Sequence, residues 1–277
     1  MDEVTSHRNA YAERKDEGMM EKLPVSVVII AKNEEKKIGR CLDSVRWADE
    51  VIVVDGLSRD RTVEIASSAG AKVVPHEFTG AFADDRNLGM ETARNEWVLQ
   101  LDADDVVTDA FRARLEEMLS RKSDVPVYKF RRRNFFLGHP MDHGGFCHYL
   151  PNLLRRTVRY EGKVHEVPST KGAVGTIEAD VDHFPFDSLG QFVERQNRYS
   201  DIAAADLFGK EGSMDEKKIR SGMLGRSFKI FWKSYVKKQG YKEGLYGLVF
   251  AILFAFINFL KWAKYWHLVE EMRKKDV

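Results

Sequence analysis

The sequence predicts an α/β fold with a mostly parallel sheet, a mixed β region after it and helices at the C-terminal end. Three observations carry this expectation. Short β-branched runs alternate with helix-like stretches between Val25 and Leu101. Those runs lead into polar or acidic side chains, at the edge where an open parallel sheet binds its ligands. From Ser188 onward the pattern becomes helical, apolar and basic.

Val25–Ile30 (VSVVII) is a nearly continuous apolar run, as in a strand buried on both faces. Glu35–Val45 has helical spacing, with Ile38, Leu42 and Val45 on one face. Val51–Val54 (VIVV) is a second buried strand, ending at Asp55 and followed by the loop Gly56–Arg59. Asp60 is suited to cap a helix that continues through Ser68 and stops at Gly70. Ala71–Val74 gives a third strand and Asp85–Ala93 a helix. Trp97–Leu101 (WVLQL) gives a fourth strand that runs into Asp102-Ala-Asp104-Asp105. Between Pro126 and Pro185 an extended run, Val127–Phe136, carries Arg131, Arg132 and Arg133, and short extended pieces follow. Helices are expected over Ser188–Lys210, Met214–Lys238 and Glu243–Glu271.

With 277 residues the chain can bury a substantial core. Cys41 and Cys147 match no metal or redox spacing, so a disulfide framework is not expected and a reducing compartment fits. Met1–Lys22 is polar, lacks the apolar core of a signal peptide and is expected to be a flexible tail. The net charge of +1 conceals an asymmetry. Lys217–Val277 holds 14 Lys/Arg against 4 Asp/Glu, a surplus of +10, while the rest of the chain carries −9. A basic end on an acidic chain calls for an anionic partner, a membrane surface or a nucleic acid.

The strand ends gather Asn33-Glu34-Glu35, Asp55 and Asp102/Asp104. Taken singly, each cluster reads more readily as helix capping or loop solubility; three at one edge suggest a crevice. The turn after the first strand reads Ala31-Lys-Asn-Glu-Glu, without a glycine-rich phosphate loop, which disfavours nicotinamide enzymes and P-loop NTPases. A diphosphate bound here needs another source of positive charge. A divalent ion, Mg²⁺ or Mn²⁺, held by Asp102 and Asp104 would supply it, since hard oxygen ligands suit both.

VSVVIIAKNEEKKIGRCLDSV, EVIVVDGLSRDRTVEIA, Arg86-Asn87-Leu88-Gly89 and WVLQLDADD occur in this order over residues 24–106. In these pieces the chain resembles family 2 glycosyltransferases of the GT-A fold, whose first half is a Rossmann-like nucleotide-sugar-binding unit. The resemblance implies that Asp55 meets the nucleobase and that Ala31 to Glu34, Asn33 included, line base and ribose. It implies that Arg86 lies near the diphosphate. Asp102-Ala-Asp104 becomes the D-x-D motif, with Asp102 on donor and metal and Asp104 the direct metal ligand. Arg155-Arg156, Gly162-Lys-Val-His165-Glu166, His183-Phe-Pro-Phe and Gln196-Asn-Arg-Tyr199 are similar to a bacterial subgroup that adds glucose to the lipopolysaccharide inner core. The Q-x-x-R-W element of processive synthases is absent, which favours adding a single sugar.

Inverting transfer needs one base to take the acceptor's hydroxyl proton. Glu166 is the candidate, standing where the family places an acidic residue although the usual Glu-Asp pair is missing; Asp142 and Asp182 are rivals. A salt bridge to Lys163 or an arginine is the alternative role for Glu166. His165 and His183 are candidates for a third metal ligand or a phosphate donor, and equally for structural hydrogen bonding. The Arg131–Arg133 run fits a solvated edge as well as a binding site for a phosphorylated acceptor.

The basic end interleaves aromatic residues with lysines at helical spacing, and Leu245–Leu260 is a sixteen-residue apolar run, short for a spanning helix. An interfacial helix on an anionic membrane and a packed helix pair both fit; no RNA-binding signature is present, so nucleic acid ranks last. The expected organisation is a tail (1–22), a nucleotide-sugar-binding half (23–125), an acceptor-binding region (126–187) and a helical, membrane-associating region (188–277). The expected reaction moves one hexose, glucose from UDP-glucose, onto a lipid-linked saccharide at the cytoplasmic face of a bacterial inner membrane. Alternatives are the same fold acting on polyprenyl phosphate or a capsule or exopolysaccharide acceptor, and a non-catalytic membrane-docked module that binds nucleotide-sugar.

Overall fold

The computed structural model describes residues 22–162, 167–170 and 172–275. Residues 1–21 of the expected tail, and Lys163, His165 and Glu166, lie outside the described residues.

Strands β1 (Leu23–Ala31), β2 (Ala48–Asp55), β3 (Lys72–Pro75) and β4 (Trp97–Asp102) run parallel in the order β3-β2-β1-β4. Beyond β4 the same sheet continues through β8 (His148–Arg155), β6 (Val127–Phe136), β11 (Val174–His183) and β5 (Asp105–Val107). Of these, β6 and β11 pair in parallel, while β8 is antiparallel to both its neighbours and β5 to β11. The short β7 (His139–Pro140) folds back on β6, and β9 (Arg159–Glu161) with β10 (Val167–Ser169) forms a separate ribbon. The fold is therefore the expected mostly parallel α/β sheet with a mixed β extension.

Alternation along β1 explains why both faces are covered. Val25, Val27 and Ile29 pack with Ile38 and Cys41 of α1 (Ile38–Ser44) and with Phe111 and Leu115 of α4 (Asp109–Leu119). Val28 points to the opposite face, where Met90 of α3 (Phe82–Thr92) lies. Gly89 lets α3 rest directly on the sheet, because an added Cβ would run into Val28 Cγ1. α2 (Thr62–Ser68) adds Ala66 to the first face. Cys41 and Cys147 are both free thiols.

Two elements depart from expectation in the first half. Helix α1 starts at Ile38, not Glu35; residues 35–37 form a turn in which Lys37 N and Ile38 N both donate to the Glu34 carbonyl, while the amides of Glu34 and Glu35 are satisfied by Thr62 Oγ1 and Asp60 Oδ2. β5 and α4 were not expected; α4 is capped by Thr108, whose side chain accepts from Phe111 N.

At the C-terminal end, α5 (Leu189–Glu211) and α8 (Gly244–Lys275) are long helices packed on each other. The expected helix Met214–Lys238 is instead α6 (Glu216–Arg220), a π-helical turn (Ser221–Arg226), α7 (Ser227–Trp232) and a second π-helical stretch (Lys233–Lys237). At the first π turn, Asn258 of α8 donates to the Gly222 carbonyl at 3.3 Å, drawing it from the helical ladder. Gly222 itself faces the Trp262 ring with no room for a Cβ. Helix α8 and the turn before it, Gly240–Lys274, form one helix long and apolar enough to cross a membrane, yet only 22% of its most apolar window is buried.

Candidate active site

The parallel register brings the predicted strand ends together. Ala31 sits beside Asp55, and Ile30 beside Asp102. The loops leaving β1 and β2 are stitched by hydrogen bonds: Asn33 N donates to Ser58 Oγ (2.9 Å), Arg59 N to Asn33 Oδ1 (2.8 Å) and Arg61 N to Glu35 Oε2 (3.1 Å). Asn33 and Leu57 both adopt left-handed φ, 56° and 59°, a conformation that asparagine tolerates and leucine does not favour. The Asn33 carboxamide thus shapes the rim. Asp55 is buried; its Oδ2 accepts from Ser58 N at 2.9 Å, while Oδ1 has no hydrogen-bond partner among the described residues. A buried carboxylate oxygen left over at a sheet edge suits a ligand N–H.

The three aspartates after β4 take three different roles. Asp102 is clasped by Arg86 NH2 on Oδ1 (3.0 Å) and by Arg132 NH2 on Oδ2 (2.5 Å). Burial works to raise this carboxyl, but the two guanidiniums outweigh it and hold it well below the usual carboxylate range. Asp105 spends both oxygens on Arg132, at 2.7 and 2.6 Å, and its Oδ2 also accepts from Asp102 N. Asp104 faces His183, with Oδ1 3.2 Å from Nε2.

The orientation of His183 is fixed from behind. Asn134 Nδ2 donates to the Phe146 carbonyl, which turns Asn134 Oδ1 toward His183 Nδ1 at 2.5 Å. An amide oxygen only accepts, so Nδ1 carries the proton. Nε2 is left facing the Asp104 carboxylate, and a cation or a second proton must lie between them. The ligand atoms of Asp104, Asp105 and His183 lie within 4.8 Å of one another, the one such acidic-histidine group among the described residues. With Asp105 held by Arg132, the donors that fit a divalent ion are the Asp104 oxygen and the His183 nitrogen, a set suited to Mn²⁺ or Mg²⁺ with further ligands from a diphosphate.

A basic side chain missed in the sequence completes the edge. Lys37 is buried, donates from Nζ to the Pro185 carbonyl (3.0 Å) and lies 3.7 Å from Asp104 Oδ2. Arg195 of α5 donates to the same carbonyl at 3.4 Å. Glu34 stands close by; burial raises its carboxyl above the ordinary range, against the pull of Lys37. The signal for Lys37 was its position four residues after Asn33, just before the first buried residue of the helix, and for Asp105 the third aspartate of the run.

The rival bases lie elsewhere. Residues alternate along β6 and β11, so Arg132, Asn134 and His183 share one face while Arg131, Arg133 and Asp182 share the other. On that other face Arg131 pairs with Asp142 (3.0 Å) and Asp180 (2.5 Å), and Arg133 with Asp182 (2.8 Å). The arginine run is thus neither a solvated edge nor a bare phosphate site: every member is paired across strands.

The profile of the family described as glycosyl transferase family 2 matches residues 26–174, more than half of the chain. An uncharacterized glycosyltransferase of Rickettsia bellii (strain RML369-C) is 28% identical over 87% of this chain and 85% of the relative. The lipopolysaccharide core biosynthesis glycosyltransferase LpsC of Rhizobium meliloti (strain 1021) is 27% identical over 89% of this chain and 93% of the relative. Among solved structures, S. aureus TarS 1–349 in complex with UDP-GlcNAc superposes with a TM-score of 0.45 at 14% identity, covering 91% of this chain and 92% of that one. The family match runs from β1 through the three aspartates and on to the start of β11, so it spans most of the site just described. The chain belongs to glycosyl transferase family 2 and is a glycosyltransferase.

Proposed function

We propose that this enzyme transfers one hexose, glucose from UDP-glucose, with inversion and with a bound Mg²⁺ or Mn²⁺, onto a lipid-linked saccharide such as the lipopolysaccharide inner core. One observation carries the transfer chemistry: Asp104 and His183 present an oxygen and a nitrogen 3.2 Å apart at the sheet edge that also holds Asp55. The acceptor class is supported by similarity to LpsC over nearly the full length of both chains. A divalent ion on Asp104 and His183 would supply Lewis acidity to the departing diphosphate. Asp55 Oδ1 accepts from the uracil N–H, and the rim from Ala31 to Glu34 borders the ribose. Arg86, locked to Asp102, presents positive charge toward the diphosphate. Residues 23–125 bind the donor, 126–187 the acceptor, and 188–277 hold the enzyme on the anionic cytoplasmic face of a bacterial inner membrane.

Glu166 is the proposed base, supported by the location of Asp142 and Asp182 on the sheet face opposite His183. The test is turnover of UDP-glucose with Mn²⁺ and a lipopolysaccharide acceptor truncated at the inner core. Glucose transfer that chelator abolishes is expected; absence of transfer, or transfer indifferent to chelator, overturns the proposal. Glu166→Gln should lower turnover about a hundredfold with donor affinity little changed. Near-normal turnover would return the role to Asp142 or Asp182.

A further inference from the structure

Helix α8 is apolar on both sides. Its inner side closes the core: Phe250 packs on Phe136 and Phe146, and Trp262 on Gly222. Its outer side carries Leu245, Ile252, Phe256, Phe259 and Trp266, spaced by seven, four, three and seven residues, one stripe of an α-helix. These five are between 36% and 72% exposed. A second stripe runs along the neighbouring rod. Leu224, Phe228 and Trp232 recur every four residues, are all exposed, and Lys229 and Lys233 follow the last two directly. In a plain α-helix a period of four drifts by about 40° per repeat. The flanking π-helical stretches have wider turns, which oppose that drift.

We infer that α8 lies in the plane of an anionic bilayer, immersed by its outer stripe, and does not span it. Length and composition alone would permit a span. The inner side forbids one, because polar fastenings run along it. Asn258 donates to Ser227 Oγ at 3.0 Å, and Lys264 Nζ reaches Asn197 Oδ1 (2.8 Å) and Asp201 Oδ1 (2.6 Å). Tyr265 Oη donates to the Gly212 carbonyl at 2.6 Å. A spanning α8 would carry these groups, and α5 with them, into hydrocarbon, where charged and unpaired polar groups are costly. An in-plane helix leaves every fastening intact and buries only the stripe. Lipid is the occupant that the charge selects: the segment from Lys217 carries the surplus of +10, which would repel a second copy of itself.

The inference rests on the membrane-surface acceptor proposed above, and its test is separable from that reading. Full-length protein is mixed with vesicles of equal parts phosphatidylethanolamine and phosphatidylglycerol. The triple variant Ile252→Ser/Phe256→Ser/Phe259→Ser should lose at least about tenfold in vesicle affinity, the effect of removing three buried apolar side chains. Its UDP affinity and its transfer to a soluble saccharide should stay unchanged. A fluorophore placed singly on Leu245→Cys, Phe256→Cys and Trp266→Cys should be quenched at equal, shallow depth by spin-labelled lipids. Greatest depth at residue 256 with shallow ends would establish a span and overturn the inference. A triple variant that binds vesicles like the parent, or a parent dimer that the triple variant dissolves, would overturn it too. If transfer fails while vesicle binding behaves as stated, only the functional proposal falls.

Discussion

In β1, β2 and β4 the charges at the site stand at the C-terminal strand ends, at Asp55 and Asp102; Asp49 and Glu50 sit at the opposite end of β2, and the strand interiors between are apolar or neutral. In β6 and β11 the charges stand in mid-strand, as Arg131, Arg132, Arg133, Asp180 and Asp182. The two halves of one sheet therefore prepare the site by different means. The parallel half does so by topology, since register alone delivers three loops to one edge. The mixed half does so by ion pairs: Arg132 crosses from β6 to the aspartates of the other half, and Asn134 sets the histidine. A charge in mid-strand is tolerable only with a partner, so there each functional side chain comes with its own support.

Four outcomes would break or sharpen this contrast. Asp104→Ala should cost roughly a thousandfold in turnover, several kcal/mol of transition-state stabilisation, and abolish the Mn²⁺ dependence of UDP binding. Calorimetry with and without metal measures this. If Asp102→Asn removes the metal effect and Asp104→Ala preserves it, the ligand is Asp102. Arg132→Met should destabilise the fold by about 3 kcal/mol in urea titration, because three aspartates would lose their shared buried cation. Asp55→Ala should weaken UDP binding by about ten- to a hundredfold while leaving Mn²⁺ affinity alone, as expected of one charge-assisted hydrogen bond. Equal UDP affinity would move the base away from Asp55. Arg133→Ala should cost less, about 1–2 kcal/mol, since Arg133 keeps 30% of its side chain in water and the Asp182 carboxyl it leaves behind, raised by burial, can take up a proton. A cost equal to that of Arg132→Met would mean that burial is not what separates the two faces of β6.

The parallel half was legible because its information is local. VSVVII and VIVV name doubly buried strands by composition, and the alternation with helices makes the sheet parallel. Asp55, Asp102 and Asp104 were found at strand ends for the same reason. The mixed half hides its logic in distance. Arg131 and Asp180 are 49 residues apart, as are Arg133 and Asp182, so no window on the sequence joins them. The arginine run accordingly fitted a solvated edge and a phosphate-binding site equally well. His183 was identifiable as a ligand candidate, but not its tautomer, which depends on Asn134 and through it on Phe146. Helix α4 did carry a local signal, Thr108 before Phe111 and Leu115. The first π-helical turn had none, because the side chain that bonds its Gly222 carbonyl, Asn258, is on another helix.

The missing side chain at Gly89 is a dimension of the proposed donor site. Helix α3 rests on Val28 at that point, and one turn earlier Arg86 extends to Asp102 Oδ1 at 3.0 Å. A methyl group inserted there would act as a shim. It would lift the helix by about the width of a carbon atom, and the guanidinium, carried on the same rigid rod, would be drawn out of hydrogen-bonding range. The clearance beneath Arg86, and with it the size of the group that fits there, is gauged by a hydrogen atom at residue 89.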